Sequence, residues 1–292
     1  MKGQYASGYI KQWTSTGEPC VSWQWPLWQL SKLRFDLWQA LKSLPVSPTA
    51  SALWGGLILG QSDALSSSQW RVLAATGTTH LLVISGLHVG LVALMAMALV
   101  RVLLMPFMSS SGAGLRTQAW VGVMAALTFA LLSGFGLPAQ RAVIMLLGLM
   151  WGQLWGLQLR FSQRLFIAFA ITLSFQPASA TRLGLWLSYI AVLALGLVWY
   201  RAGASLWWRK GLQLLAAQAT LSVLVLPVIA LATGQVSLVG PLVNLLLVPL
   251  FSVVVIPTLM LVSLVALVVP LPTTVLVWVD SSLSLIWQGL ST

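Results

Sequence analysis

The chain has 292 residues, of which 59% are hydrophobic and only 7% charged, whereas an ordinary soluble domain is about 25% charged. That balance excludes a soluble globule. Apolar stretches of about 20 residues recur along the chain, each able to cross a hydrocarbon core of about 30 Å, so the expected fold is an all-α, polytopic transmembrane bundle. The net charge is +11, from 15 Lys and Arg against Glu18, Asp36, Asp63 and Asp280. Basic cytoplasmic loops account for part of such an excess, and a polyanionic partner is the sharper alternative. Cys20 is the single cysteine, which leaves neither an internal disulfide nor a cysteine metal cluster within this chain.

The first 25 residues, MKGQYASGYIKQWTSTGEPCVSWQW, are polar and lack the continuous apolar run of a cleavable signal. They read as the tail of a preceding segment. Residues 25 to 44, WPLWQLSKLRFDLWQALKSL, place Leu30, Leu33, Leu37, Trp38, Leu41 and Leu44 at helical spacing, with Lys32, Arg34, Asp36 and Lys42 between them. This pattern predicts an interfacial amphipathic helix over 23–46, its tryptophans at headgroup depth. The apolar stretch from Ala50 to Leu59 is half a bilayer long. It either dips into the membrane or forms a short buried helix.

Spans are expected at 80–104, 119–136, 139–157, 164–176, 183–200, 211–232, 241–265 and 272–289. The fourth, around LFIAFAITLSF, is short enough to be re-entrant. Pro227 interrupts the sixth, and Pro249 with Pro257 the seventh, where Asn244 also sits in the apolar run. Broken backbone at membrane depth is tolerated only against protein or a water-filled cavity. The steps Gly148, Gly152 and Gly156, and the pair Gly86 and Gly90, are GxxxG spacings that predict close helix packing. Arg101 and Arg116, Arg160 and Arg164, and Arg201, Arg209 and Lys210 fall in connections on one side. Only Arg141 and Arg182 lie in those of the other. The basic side is therefore expected in the cytoplasm, with both chain ends and His80 outside.

Four scattered acids and two histidines assemble no metal site. No GxxxxGK[ST] phosphate loop supplies a nucleotide-driven motor. The chemistry is therefore sought in passage or binding. In TTHLLVISGLHVGLVALM, residues 78 to 95, His80 and His88 lie on nearly one helical face, two turns apart, with Ser85 and Gly86 between them. Three readings compete: an imidazole that cross-links helices by hydrogen bonds, a serine/histidine hydrolase lacking the first glycine of a GxSxG elbow, and a polar lining for a conduit. In GFGLPAQRAVIM, residues 134 to 145, Pro138 suits a first helical turn. That places Gln140 and Arg141 beside free N–H groups, as a phosphate contact or an ordinary snorkelling arginine.

The stretch TGTTHLLVISGLHVGL at 76–91 resembles the signature of the ComEC family of competence proteins. GLPAQRAVIM (136–145), LWLSYIAVLALG (185–196) and VSLVGPLVNLLLVPLFSVVVIP (236–257) follow in the family's order. One departure is Trp186-Leu187-Ser188-Tyr189, where the family carries Q-L-S-F. The resemblance implies an inner-membrane channel for uptake of single-stranded DNA during natural transformation, with residues 47–292 as the channel domain. It also implies that 1–22 is a remnant or linker from an OB-fold-like domain, and that the metallo-β-lactamase-like nuclease domain is absent, so the chain itself is no enzyme and needs no cofactor or metal. Carried over residue by residue, it puts Ser85, Gly86, His88, Ser188 and Asn244 on the DNA path with Arg141. Arg71, His80, Gln140 and Arg182 fall at the outer entrance, and Gly90, Gly148, Gly152 and Gly156 in helix packing. The implied partners are single-stranded DNA, membrane lipids, a periplasmic or surface DNA receptor, a cytoplasmic ATPase or helicase or single-strand-binding protein, and a second copy of the chain. Two alternatives stand beside it: a solute or lipid transporter with its site at Asn244, Pro249 and Pro257, and an intramembrane serine hydrolase.

Overall fold

A computed structural model describes residues 25–104, 112–202, 215–217, 219–221, 223–224, 240–266 and 268–291. Pro227, residues 1–22 and most of the sixth expected span lie outside them. Among the described residues all regular structure is helical and there is no strand.

Helix α1 (Trp25–Lys42) leads into α2 (Pro48–Leu59). The start of α2 is written locally: Ser47 Oγ accepts from the Ala50 N–H at 3.3 Å and Pro48 occupies the first turn. Its end is Gly60 at φ 65°, where a Cβ would also lie 2.6 Å from the Ser133 carbonyl oxygen. Twelve residues make a helix of about 18 Å, and eight of the twelve are buried. Of the two expectations for this stretch, the short buried helix is the one formed. Its Trp54 and Leu57 share a core with Trp38 and Leu41 of α1 and with residues near the C-terminus.

After a 3₁₀ turn at Ser62–Ala64, α3 (Ser67–Ala75) opens on a capping box between Ser66 and Gln69. Then α4 (Thr79–Leu82) is a single turn, and Val83 is extended before α5 begins (Gly86–Leu104). The first expected span thus divides at Val83. The positive φ of Gly77 and the Ser85–His88 pairing described below place helix starts on either side of that residue.

Helices α6 (Gly112–Leu132), α7 (Leu137–Trp155) and α8 (Phe161–Phe175) follow α5 as packed neighbours. Small residues let them approach: Ala93, Ala126, Ala130, Ala139 and Ala142 are all buried in one core. A Cβ at Gly148 would lie 2.8 Å from the Ala168 Cβ and 3.0 Å from the Arg164 carbonyl, so α7 and α8 touch backbone to backbone there. A Cβ at Gly152 would lie 2.5 Å from the Leu157 carbonyl. Gly156 instead has φ 72° and ends α7, while the space beside Gly90 is open to 4 Å. The α7–α8 turn is held by Arg164, whose Nε and Nη1 donate to the Leu159 and Leu149 carbonyls at 3.0 and 3.1 Å. An arginine that sequence places on the basic rim thus ties the α7–α8 connection back to the body of α7.

A 3₁₀ turn at Pro177–Thr181 leads to α9 (Leu183–Ala202). In the last third, α10 (Gly240–Leu250) continues through a π turn (Phe251–Val255) into α11 (Ile256–Ala266). Pro249 and Pro257 were expected to interrupt this span, yet the helix runs on for 27 residues. Between the two prolines the helix passes through this π turn, with the Ile256 N–H donating to the Phe251 carbonyl. The final helix α12 (Thr273–Ser291) is tied to the start of α2, because Asp280 Oδ1 accepts from both the Ser47 N–H (3.0 Å) and the Ser47 hydroxyl (2.6 Å). Among the described residues three runs, in α5, α6 and α10–α11, are long and apolar enough to cross a membrane.

Candidate functional site

The polar residues singled out in the sequence gather chiefly at one end of the bundle, where α5 and α7 begin and α9 starts. At the head of α5, Ser85 precedes Gly86, and His88 sits one turn on. The His88 Nδ1 accepts from the Ser85 backbone N–H at 3.3 Å and pairs with the Ser85 hydroxyl at 3.0 Å. This is the reciprocal half of a capping box with an imidazole in place of the usual glutamate. With Nδ1 accepting, the ring proton resides on Nε2, and that atom is buried with no hydrogen-bond partner. The whole side chain is 1% exposed. A hydrolase would need the imidazole oriented by a third group, whereas Nε2 has none.

Gly86 brings α5 against α7: a Cβ built there would lie 3.5 Å from the Ala142 Cβ. The neighbouring residue, Arg141, is only 7% exposed, and its Nε also lacks a partner. Its terminal nitrogens face Gly184 at the start of α9, where a Cβ would meet them at 3.2 and 3.3 Å. Its electrostatic neighbours are Tyr189 and Arg182. The Tyr189 hydroxyl pairs with that of Thr172 at 2.7 Å, inside the core shared by α8 and α9.

Pro138 occupies the first turn of α7 as the sequence suggests, and Gly136 at the N-cap supplies no side-chain cap. Gln140 donates to the Phe135 carbonyl at 2.7 Å and accepts from the Gln176 amide, while Gln176 Oε1 is buried and unpartnered. Gln176 carries no motif and was not marked in the sequence. Nor was Arg34, whose guanidinium donates to the Leu59 and Gly60 carbonyls at 3.0 and 3.3 Å and packs against Gly134. Burial lowers the Arg34 pKa, and nearby Asp63 opposes that shift.

The remaining candidates have separate surroundings, except that Arg182 and Ser188 border Arg141 and its Gly184. Ser188 is engaged by the Gly184 carbonyl at 2.8 Å. Asn244 lies on α10, its Oδ1 buried without a partner. His80 is exposed, its Nδ1–H donating to the Gly77 carbonyl at 3.1 Å. Desolvation lowers its pKa, and the hydrogen bond to that carbonyl opposes the shift. Arg71 and Arg182 are exposed. A cavity of about 470 Å³ between α2, α3 and α12 is walled by Ser66, Ser68, Gln69 and Trp287, away from His88 and Arg141. Among the described residues, no three histidine, cysteine or acidic side chains group as metal ligands.

The described helices make an all-α membrane bundle with uncharged and cationic polar side chains enclosed at one end. Residues 57–292 match the family model described as Competence protein, and the chain belongs to that family. It is 37% identical over 216 residues to the Competence protein ComA of Neisseria gonorrhoeae, covering 73% of this chain and 30% of that protein. Similarity extends to the Uncharacterized protein YcaI of Escherichia coli, 29% identical over 253 residues (80% of this chain, 32% of that one). Recombination protein 2 of Haemophilus influenzae is 30% identical over 172 residues, covering 59% and 22% respectively. The chain therefore spans a third or less of the length of these curated relatives. No solved structure matches it.

Proposed function

We propose that this chain forms a conduit for single-stranded DNA across the bacterial cytoplasmic membrane during competence. The observation that carries the proposal is the set of buried polar atoms without partners: His88 Nε2, Arg141 Nε, Gln176 Oε1 and Asn244 Oδ1. A buried polar group with no hydrogen bond costs about 1–3 kcal/mol, and four of them in a chain this apolar point to a role for which polarity is needed. A strand crossing a low-dielectric layer must exchange its hydration for polar walls and cationic rims, each contact weak enough to release. Ser85, Gly86, His88, Ser188 and Asn244 are assigned to the wall. Arg71, His80, Gln140, Arg141 and Arg182 are assigned to the outer mouth, and the basic loops to the cytoplasmic side, with both chain ends outside. His88 is enclosed in the described state, so conduction includes an opening of α5 from α7.

The chain carries no recognised motor motif, so a cytoplasmic ATPase, helicase or single-strand-binding protein draws the strand inward, and a periplasmic or surface receptor delivers it. Catalysis is assigned to neither His88 nor Ser85. The test is uptake of labelled DNA by transformable cells at matched protein levels, with Arg141→Gln and His88→Ala. Both lower uptake if the assignment holds, and unchanged uptake in both rejects it. A solute or lipid transporter is favoured by one observation, the π turn and Pro249 close to Asn244. Under that reading Asn244→Ala abolishes transport of a small solute, while the Arg141 and His88 variants leave it intact.

A further inference from the structure

Among the described residues three arginines are wholly or partly withdrawn from solvent, and two of them are satisfied by backbone. Arg34 reaches the Leu59 and Gly60 carbonyls, and Arg164 reaches those of Leu149 and Leu159. Arg141 is the exception: it is the most enclosed of the three, its Nε has no partner, and no described residue accepts from its guanidinium. Among the described residues no carboxylate answers it. Asp280 is engaged by Ser47, Asp63 lies beside Arg34, and the charged neighbour of Arg141 is a second cation, Arg182. A buried charge is ordinarily paired. The guanidinium is seated at the start of α9 because residue 184 is glycine: a Cβ at that position would lie 3.2 and 3.3 Å from its two terminal nitrogens. Arg141 rises from the start of α7, whose N-cap Gly136 provides no side-chain acceptor for the free N–H groups.

We propose that the junction between the start of α7 and the start of α9 is a phosphodiester-binding site, with Arg141 gripping one phosphate and Arg182 supplying the second cation. The fork of a guanidinium matches two phosphate oxygens, and a helix N-terminus suits the third. Assignment of that phosphate to a DNA strand rests on the conduit proposed above, whereas the anion site itself does not. A lipid headgroup offers the same chemistry.

The test uses the full chain purified in neutral detergent, titrated with inorganic phosphate at constant ionic strength set by chloride. Trp186 is the reporter, read as the difference from a Trp186→Phe control because the chain has 16 tryptophans; its ring packs on Phe169, which in turn meets Tyr189 edge-on. Phosphate is expected to change Trp186 fluorescence and raise the melting temperature, and Arg141→Gln is expected to abolish both effects. Without phosphate, Arg141→Gln should melt no lower than the parent, because it removes an unpaired buried cation. Gly184→Ala keeps the arginine but fills its seat, and should weaken phosphate binding about tenfold. No response in the parent protein, or an undiminished one in Arg141→Gln, overturns the site. Displacement of phosphate by a short thymidine oligonucleotide identifies the strand backbone as its ligand. Displacement by phosphatidylglycerol alone supports the anion site and overturns its assignment to DNA. Phosphate binding in a protein that imports no DNA counts against the conduit and leaves the site standing, and import without phosphate binding does the reverse.

Discussion

If a strand passes beside His88, the seam between α5 and α7 must open, and it can be locked. The Cβ built on Gly86 lies 3.5 Å from the Ala142 Cβ, within the range of about 3.5–4.5 Å that disulfides span. The double variant Gly86→Cys, Ala142→Cys, in a Cys20→Ser background, should therefore cross-link on mild oxidation without backbone movement. The bond closes a loop of about 57 residues and constrains the unfolded chain by roughly 4 kcal/mol. That figure is an upper bound, because helices already threaded through a bilayer have less freedom to lose. The oxidised protein should melt higher than the reduced one and fail to import labelled DNA, with import restored by a reductant. Cross-link formation is read as a mobility shift after proteolysis of the α6–α7 turn. Quantitative cross-linking with undiminished import would refute an opening at this seam and, with it, the placement of His88 on the route.

Replacing His88 by Ala removes two contacts with Ser85 worth about 1 kcal/mol each and relieves an orphaned Nε2 worth about 1–3 kcal/mol. Stability, measured by thermal melting in detergent, should then move by less than about 2 kcal/mol while DNA uptake falls severalfold. The two glycine spacings should separate cleanly. Gly148→Ala drives a Cβ into Ala168 and the Arg164 carbonyl and should destabilise by about 1–3 kcal/mol. Gly90→Ala enters open space and should be neutral or stabilising by up to about 1 kcal/mol in the same assay. Arg34→Ala removes both hydrogen bonds to the end of α2 and should loosen α1, seen as faster limited proteolysis within 25–42 and a lowered melting temperature.

Much of the helical layout was legible because hydropathy and helix signals act over short windows. Ser47-Pro48 at the start of α2, Pro138 at that of α7 and the apolar runs of α5 and α6 are written where they are used. What escaped the sequence depends on partners distant in the chain. Asp280 looks like an isolated acid in an apolar run until it meets Ser47, more than 200 positions earlier. Arg34 reads as one charge on an amphipathic face, yet it closes the end of α2. Pro249 and Pro257 suggest a broken span, and only the three-dimensional path reveals a π turn that carries the helix through. The polar cluster was half visible. His88 and Arg141 stand out by chemistry in an apolar setting, whereas Gly184 and Gln176 have no marker and acquire meaning only through what packs against them.

The central claim is that the strand itself touches this end of the bundle in transit. A photo-reactive residue introduced at position 88, irradiated in transformable cells while labelled single-stranded DNA is being taken up, tests it directly. The same probe at Leu94, which is 60% exposed on the outer face of α5, serves as the lipid-side control. The account predicts DNA adducts at 88, only during active uptake, and none at 94. Adducts at neither position while DNA still enters, or equal labelling at both, would contradict it.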